Sequence, residues 1–153
     1  MAAFLIRQRK TLSIAESCTG GLVSHRLTNI PGSSKFLKMG LIAYANETKI
    51  KLLKVSPRLL SVYGAVSASV ALAMAKGARG IHKTDFGLAI TGIAGPTGGT
   101  KRKPIGLVYI AIDSAKKSFC TKNLFKGNRF KIKSQAASRS LSLLLKTIHP
   151  RGG

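Results

Sequence analysis

The chain contains no tryptophan, and three tyrosines and six phenylalanines bring its aromatic content to only 6% of 153 residues. So few flat side chains leave little stacking surface for single-stranded nucleic acid. No helix-turn-helix, RNP or zinc-finger pattern is present either. The two cysteines, Cys18 and Cys120, are too few for a framework of bridges and suit a reducing compartment. The longest apolar stretches, such as Leu41 to Ala45 and Leu143 to Leu145, fall far short of the ~20 residues that a membrane-spanning helix needs. At the start, Phe4-Leu5-Ile6 precedes Arg7, Arg9 and Lys10, the reverse of the order in a secretory signal. A cytoplasmic protein with no membrane partner is the expectation.

Carboxylates are the scarcest polar group: four Asp+Glu stand against 26 Lys+Arg, a formal charge of +22. That imbalance favours anionic partners. From Ser114 to Gly153 ten basic residues occur with no carboxylate, and Lys101-Arg102-Lys103 forms a second basic knot. A lysine bias scattered over the whole chain is equally a feature of general composition. Anionic partners of some kind are the expectation, and nucleic acid is not favoured among them.

What is present is enough to build a core. With 44% hydrophobic residues and a mean hydropathy of +0.14, the chain can bury the apolar surface that offsets its conformational entropy. Its length fits one compact domain, and no internal repeat or low-complexity linker divides residues 1–153. The pattern alternates. A β-prone run covers Thr11 to Ala15, and Gly20 to Thr28 has helical spacing. A Pro31-Gly32-Ser33-Ser34 loop follows, then a buried-strand run from Gly40 to Ala45 and a helical stretch from Asn46 to Lys54. Ser56-Pro57 reads as a helix start, with Ser capping and Pro in the first turn.

Ser67 can cap a helix reaching about Gly80, with Val70, Ala71, Met74, Ala75 and Ala78 on one face. Strands are expected at Phe86 to Ile90, Ile105 to Ile112 and Ser118 to Phe125, the last two as a hairpin around Asp113. A closing helix carries Ile132, Ala136, Ala137, Leu141, Leu144, Leu145 and Ile148 as its apolar stripe. The sum is a three-layer α/β/α sandwich with a mostly parallel, mixed sheet.

Ligands of such sheets sit beyond the carboxyl ends of the strands, which directs attention to three segments. In Glu16-Ser17-Cys18-Thr19-Gly20-Gly21, a nucleophile would precede a helix start whose amides can hold an oxyanion. The same residues also make an ordinary polar turn with Thr19 as helix cap. Cys18 is either a competing nucleophile or a small buried filler. A serine needs a base, and His25, His82 and His149 sit on a polar helix face or at helix ends.

No zinc spacing is present, and neither a metal nor another cofactor is expected. A lysine with a depressed pKa is then the remaining base. Lys49, in Tyr44-Ala45-Asn46-Glu47-Thr48-Lys49, fits, although a solvated charge is the plain alternative for any one lysine. The third segment, Thr91 to Gly99, is rich in glycine yet matches neither a Walker loop nor a G-x-G-x-x-G fingerprint.

Taken in order, Ala15-Glu16-Ser17-Cys18-Thr19-Gly20-Gly21, Pro31-Gly32-Ser33-Ser34, Tyr44 to Lys49, Gly64-Ala65-Val66-Ser67 and Thr91-Gly92-Ile93-Ala94-Gly95-Pro96 closely resemble the CinA carboxy-terminal domain family of nicotinamide-nucleotide amidases. The resemblance spans about residues 11 to 149. It implies hydrolysis of the carboxamide of nicotinamide mononucleotide, a five-stranded mixed sheet, no metal and a homodimer. It also implies that Ser17 is the nucleophile, Lys49 its base and Tyr44 a neighbouring active-site hydroxyl.

Thr91, Gly92, Gly95 and Gly98 match the substrate-binding loop, and Arg129 and Lys133 match basic positions expected to serve the phosphate. Lys133 stands where the resemblance leads one to expect arginine, with loss of a bidentate fork. Thr19, Gly20, Gly21 and Asn46 complete the expected binding set, with oxyanion donors placed by geometry at the amides near Thr19 and Gly20. Only ten residues precede Thr11, fewer than the resemblance implies, so either a clipped first helix or a late assigned start is expected. The amino-terminal partner domain of full-length members has no counterpart in this sequence, and a stand-alone amidase-type chain is the expectation. A non-catalytic basic module on the same fold, binding nucleotides or nucleic acid, is the alternative.

Overall fold

A computed structural model describes residues 1–148. Its elements run α1 Ala2–Arg7, β1 Leu12–Glu16, α2 Leu22–Thr28, a 3-10 turn Ser33–Lys35, β2 Leu37–Ile42, α3 Asn46–Lys51, α4 Pro57–Tyr63, α5 Ala68–His82, β3 Phe86–Gly92, β4 Leu107–Ser114, β5 Ser118–Leu124 and α6 Arg129–Ile148. The five strands lie in the order β2-β1-β3-β4-β5. β1 is parallel to both β2 and β3, β4 is antiparallel to β3, and β5 is antiparallel to β4. The mixed three-layer sandwich expected from the alternating pattern is thus present, with β4 as the reversed strand.

The two faces of the sheet bury different chemistry, because alternate residues of a strand point to opposite sides. One face presents Leu12, Ile14, Leu88, Ile90, Val108, Ile110 and Ile112, which pack on Leu5, Val23, Leu27, Ile132, Ala136 and Leu144 from α1, α2 and α6. The other presents Ala15, Ala89 and Ala111 to Val70, Ala71, Met74, Ala75 and Ala78 of α5. These small residues let α5 approach closely. A Cβ added at Gly87 would lie 2.1 Å from the Ala75 carbonyl oxygen, and one at Gly77 would lie 2.1 Å from that of Leu53. Only glycine fits at either point.

Several boundaries differ from the pattern-based ones. β2 starts at Leu37, earlier than Gly40, because Lys38, Gly40 and Ile42 alternate to an exposed edge and break the apolar run. β3 continues through Thr91 and Gly92, paired with Tyr109 and Val108. The first helix, α1, has six residues. Ser56 occupies the N-cap of α4 but makes no capping hydrogen bond, whereas Ser67 Oγ accepts from the Val70 amide at 3.3 Å. In α6 the stripe shifts: Leu145 is exposed, and Leu143 and Ser140 are buried instead. Ser140 tolerates this because its hydroxyl donates to the Ala136 carbonyl at 2.8 Å. His149 lies outside the described residues. Among the described residues, no helix is long and apolar enough to cross a membrane.

Candidate active site

The carboxyl ends of β1, β2 and β3 and the start of α6 surround a cavity of about 270 Å³. Ser17, Tyr44, Asn46, Lys49, Thr91, Gly92, Gly95, Gly98 and Arg129 line it, so nine of the thirteen residues singled out above converge there. The other four, Thr19, Gly20, Gly21 and Lys133, line a neighbouring depression with His25 and Phe130. The β1–α2 turn separates the two hollows.

Ser17 follows β1 directly, and its amide donates to the Ile90 carbonyl of β3 at 2.9 Å. The turn behind it is fixed by Glu16, which is fully buried. Its carboxylate accepts from the Gly21, Val23 and Ser24 amides at 3.1, 3.1 and 2.8 Å and from the Ser24 hydroxyl at 2.7 Å. A carboxylate here satisfies orphan donors and complements the positive end of α2. Glu16 therefore takes the capping role that the sequence offered to Thr19, whose buried hydroxyl finds no partner among the described residues. The strand-end glutamate five residues ahead of the helix N-cap, Gly21, was the signal for this.

One consequence narrows the oxyanion donors. The Gly20 amide is bonded to the Ser17 carbonyl at 3.1 Å, and the Gly21 amide is held by Glu16. Those two are thus occupied, because the turn closes on itself, and Cys18 is the residue of the turn beyond Ser17 that lines the cavity.

Lys49 sits at the last turn of α3 and is 1% exposed. Its Nζ lies 3.3 Å from Ser17 Oγ and donates to the Ala43 and Tyr44 carbonyls at 2.8 and 3.0 Å. Burial pulls this amine below the ordinary lysine range, against the opposing pull of Cys18 and Glu47. Cys18 is itself pushed up to about 12, chiefly by burial. At neutral pH its thiol is uncharged and does little to hold a proton on Lys49. Nζ has three hydrogen-bond partners, the two carbonyls and Ser17 Oγ; once neutral, the amine can keep both carbonyl bonds with its two N–H groups and turn its lone pair to the serine hydroxyl.

Arg129 opens α6 and crosses the cavity mouth. Its Nη1 donates to the Gly95 carbonyl at 2.6 Å and its Nη2 to the Tyr44 hydroxyl at 3.0 Å. Thr91, nearly fully buried, donates its hydroxyl to the Ala65 carbonyl at 2.8 Å. It pins the loop ahead of α5, whose Ala65 and Val66 form part of the wall. Sequence reasoning assigned no role to Ala65, Val66, Ile93 or Ala94 in this lining, since apolar and small residues in a loop carry no chemical signature, whereas Thr97 falls in the Gly95 to Gly99 loop that the resemblance matched to substrate binding. Among the described residues, no carboxylate lines the cavity.

The CinA C-terminal domain model matches residues 1–148. A putative competence-damage inducible protein of Moorella thermoacetica is 49% identical over 146 residues, covering 95% of this chain and 35% of its own length. A CinA-like protein of Syntrophus aciditrophicus is 46% identical over 145 residues, 94% of this chain and 34% of that protein. The chain therefore spans about a third of the length of these curated relatives. Among solved structures, a CinA superfamily protein from Enterobacter cloacae superposes with a TM-score of 0.92 at 33% identity, covering 96% of this chain and 87% of that one. A competence/damage inducible protein from Agrobacterium tumefaciens gives 0.93 at 35% identity, covering 97% and 90%.

Proposed function

The chain belongs to the CinA C-terminal domain family, and from that premise we propose that it is an amidohydrolase converting nicotinamide mononucleotide to nicotinic acid mononucleotide and ammonia through a Ser17–Lys49 acyl-enzyme. The observation that carries this reading is the buried Lys49 amine, 3.3 Å from Ser17 Oγ with two backbone carbonyls fixing its orientation.

In the reaction, the Ser17 hydroxyl passes its proton to neutral Lys49 as Oγ bonds to the carboxamide carbon. The carbonyl oxygen becomes an oxyanion, for which the Cys18 amide beside Ser17 is the proposed donor. Lys49 then returns the proton to the departing amide nitrogen, the C–N bond breaks and ammonia leaves. Water attacks the resulting ester, giving its proton to Lys49. The C–Oγ bond breaks, Ser17 recovers a proton, and the nicotinate carboxylate is released.

A cavity with Arg129 at its mouth and no carboxylate among the described residues of its lining favours a substrate carrying a phosphate. Lys133, across the turn with Gly20 and Gly21, adds longer-range attraction. We place the reaction in the cytoplasm, in keeping with two free thiols, and propose a homodimer as the working form. Rapid quenching of the protein with excess nicotinamide mononucleotide, followed by intact mass measurement, tests the covalent step. Wild-type protein should carry the added mass of the acyl nucleotide on Ser17, and Ser17→Ala none. An unmodified mass throughout turnover would overturn the acyl-enzyme.

A further inference from the structure

We infer that Arg129 is a positioning residue for the catalytic pair: by holding the Tyr44 hydroxyl it fixes the Tyr44 carbonyl, which in turn orients the Lys49 amine toward Ser17. This deepens the Ser17–Lys49 reading and rests on it. The contacts form one chain from α6 to the nucleophile. Arg129 Nη2 donates to Tyr44 Oη at 3.0 Å, Lys49 Nζ donates to the Tyr44 carbonyl at 3.0 Å, and the same Nζ lies 3.3 Å from Ser17 Oγ.

The two carbonyls that orient Lys49 are not held alike. Ala43 is fully buried and its amide donates to the Glu16 carbonyl at 2.7 Å, so its carbonyl is locked by β1. Tyr44 is 60% exposed and lies in the connection between β2 and α3, where core packing does not fix it. Its side-chain tether is the hydrogen bond from Arg129, which is anchored in turn on the Gly95 carbonyl at 2.6 Å. A planar guanidinium can hold both partners at once, and a lysine ammonium is a single point without that fork. The arrangement also joins substrate recognition to catalysis, because a phosphate reaching Arg129 meets the residue that steadies Tyr44.

The charged and titratable groups facing Lys49 are Cys18 on the β1–α2 turn and Glu47 on its own helix, with Tyr44 and Arg129 across the cavity. Glu16 and Lys133 act on Cys18 behind them. Tyr44→Phe and Arg129→Lys leave every one of these charges in place at neutral pH, so a change in Lys49 reports orientation and not Coulomb interaction. A loosened carbonyl is a weaker acceptor for the ammonium form, and losing a bond to the charged form lowers a lysine's pKa.

The test is titration of the Lys49 Nζ by NMR with nitrogen-15-labelled lysine, in wild type, Tyr44→Phe, Arg129→Lys and the double variant, with circular dichroism confirming the fold. Each single variant should move the Lys49 midpoint down by about 0.5 pH unit or more, and the double variant no further than the larger single one, since both cut the same chain. Where ammonia release is measured, its rising pH limb should move by the same amount. Unchanged Lys49 midpoints in folded variants would overturn the inference even if the protein is an amidase. Shifted midpoints in a protein that releases no ammonia would uphold the tether and refute the amidase reading instead.

Discussion

At the residue scale the central object is a lysine whose surroundings disfavour its charge. Lys49 has a folded pKa below the ordinary value because of burial, so the unfolded chain binds more protons between the folded pKa and about 10.5, and stability from this group rises with pH across that window. The stability of wild type minus that of Lys49→Met, from denaturant melts, should therefore grow with pH there. A flat difference would show that Lys49 stays charged when folded. Cys18 behaves in the opposite sense. Burial raises its thiol to about 12, so little thiolate exists at neutral pH and alkylation should be slow. Cys18→Ala should keep ammonia release within about threefold of wild type, the range of a modest packing change, and inactivity on that substitution alone would make the thiol the nucleophile. The sequence offered Ser17 and Cys18 as nucleophiles; burial separates them, Ser17 being half-buried and Cys18 buried, and burial is a property of the fold that no local spacing carries.

Elements set the distances on which this chemistry depends. Ser17 is aimed by the strand before it and by the Glu16 cap behind it, so Glu16→Ala leaves four donors around the turn without their acceptor. We expect a loss of about 3 kcal/mol or more in a denaturant melt, with ammonia release falling alongside. Close packing of α5 on the sheet makes a similar demand, and Gly87→Ala should cost about 2 kcal/mol through overpacking against the Ala75 carbonyl.

Much of this level was legible in the chain. The apolar face of α5 at Val70, Ala71, Met74, Ala75 and Ala78 is buried as its spacing indicates, and Ser67 caps that helix. Less legible were the ends. Leu37 to Met39 gave no apolar run because β2 is an edge strand with one exposed row. Thr91 and Gly92 looked like loop because their strand character comes from pairing with β4, a long-range event. Thr19, Gly20 and Gly21 were read as substrate contacts beside Ser17, but the turn folds them to its other side, where they meet Lys133.

Over the whole molecule, the imbalance of charge becomes a statement about encounter. The four carboxylates are all placed: Glu16 is buried as a cap, Asp85 pairs with Lys10, Asp113 pairs with Arg79, and Glu47 lies at the exposed start of α3. The remaining lysines and arginines therefore give a broadly positive field with little internal compensation, which draws in anions and is screened by salt. KM for nicotinamide mononucleotide should rise several-fold, roughly, between low and physiological ionic strength, with kcat nearly constant. An unchanged KM would mean that the charge has no part in substrate capture.

The measurement that bears most directly on the account is ammonia release from nicotinamide mononucleotide by the wild type, Ser17→Ala and Lys49→Ala proteins, purified and assayed side by side across pH. The account predicts release by wild type that climbs with pH as Lys49 loses its proton, and a drop of about 10⁴-fold for each substitution, as expected for two groups that act as a unit. Substantial release by either variant, or a folded wild type that releases none, would contradict it.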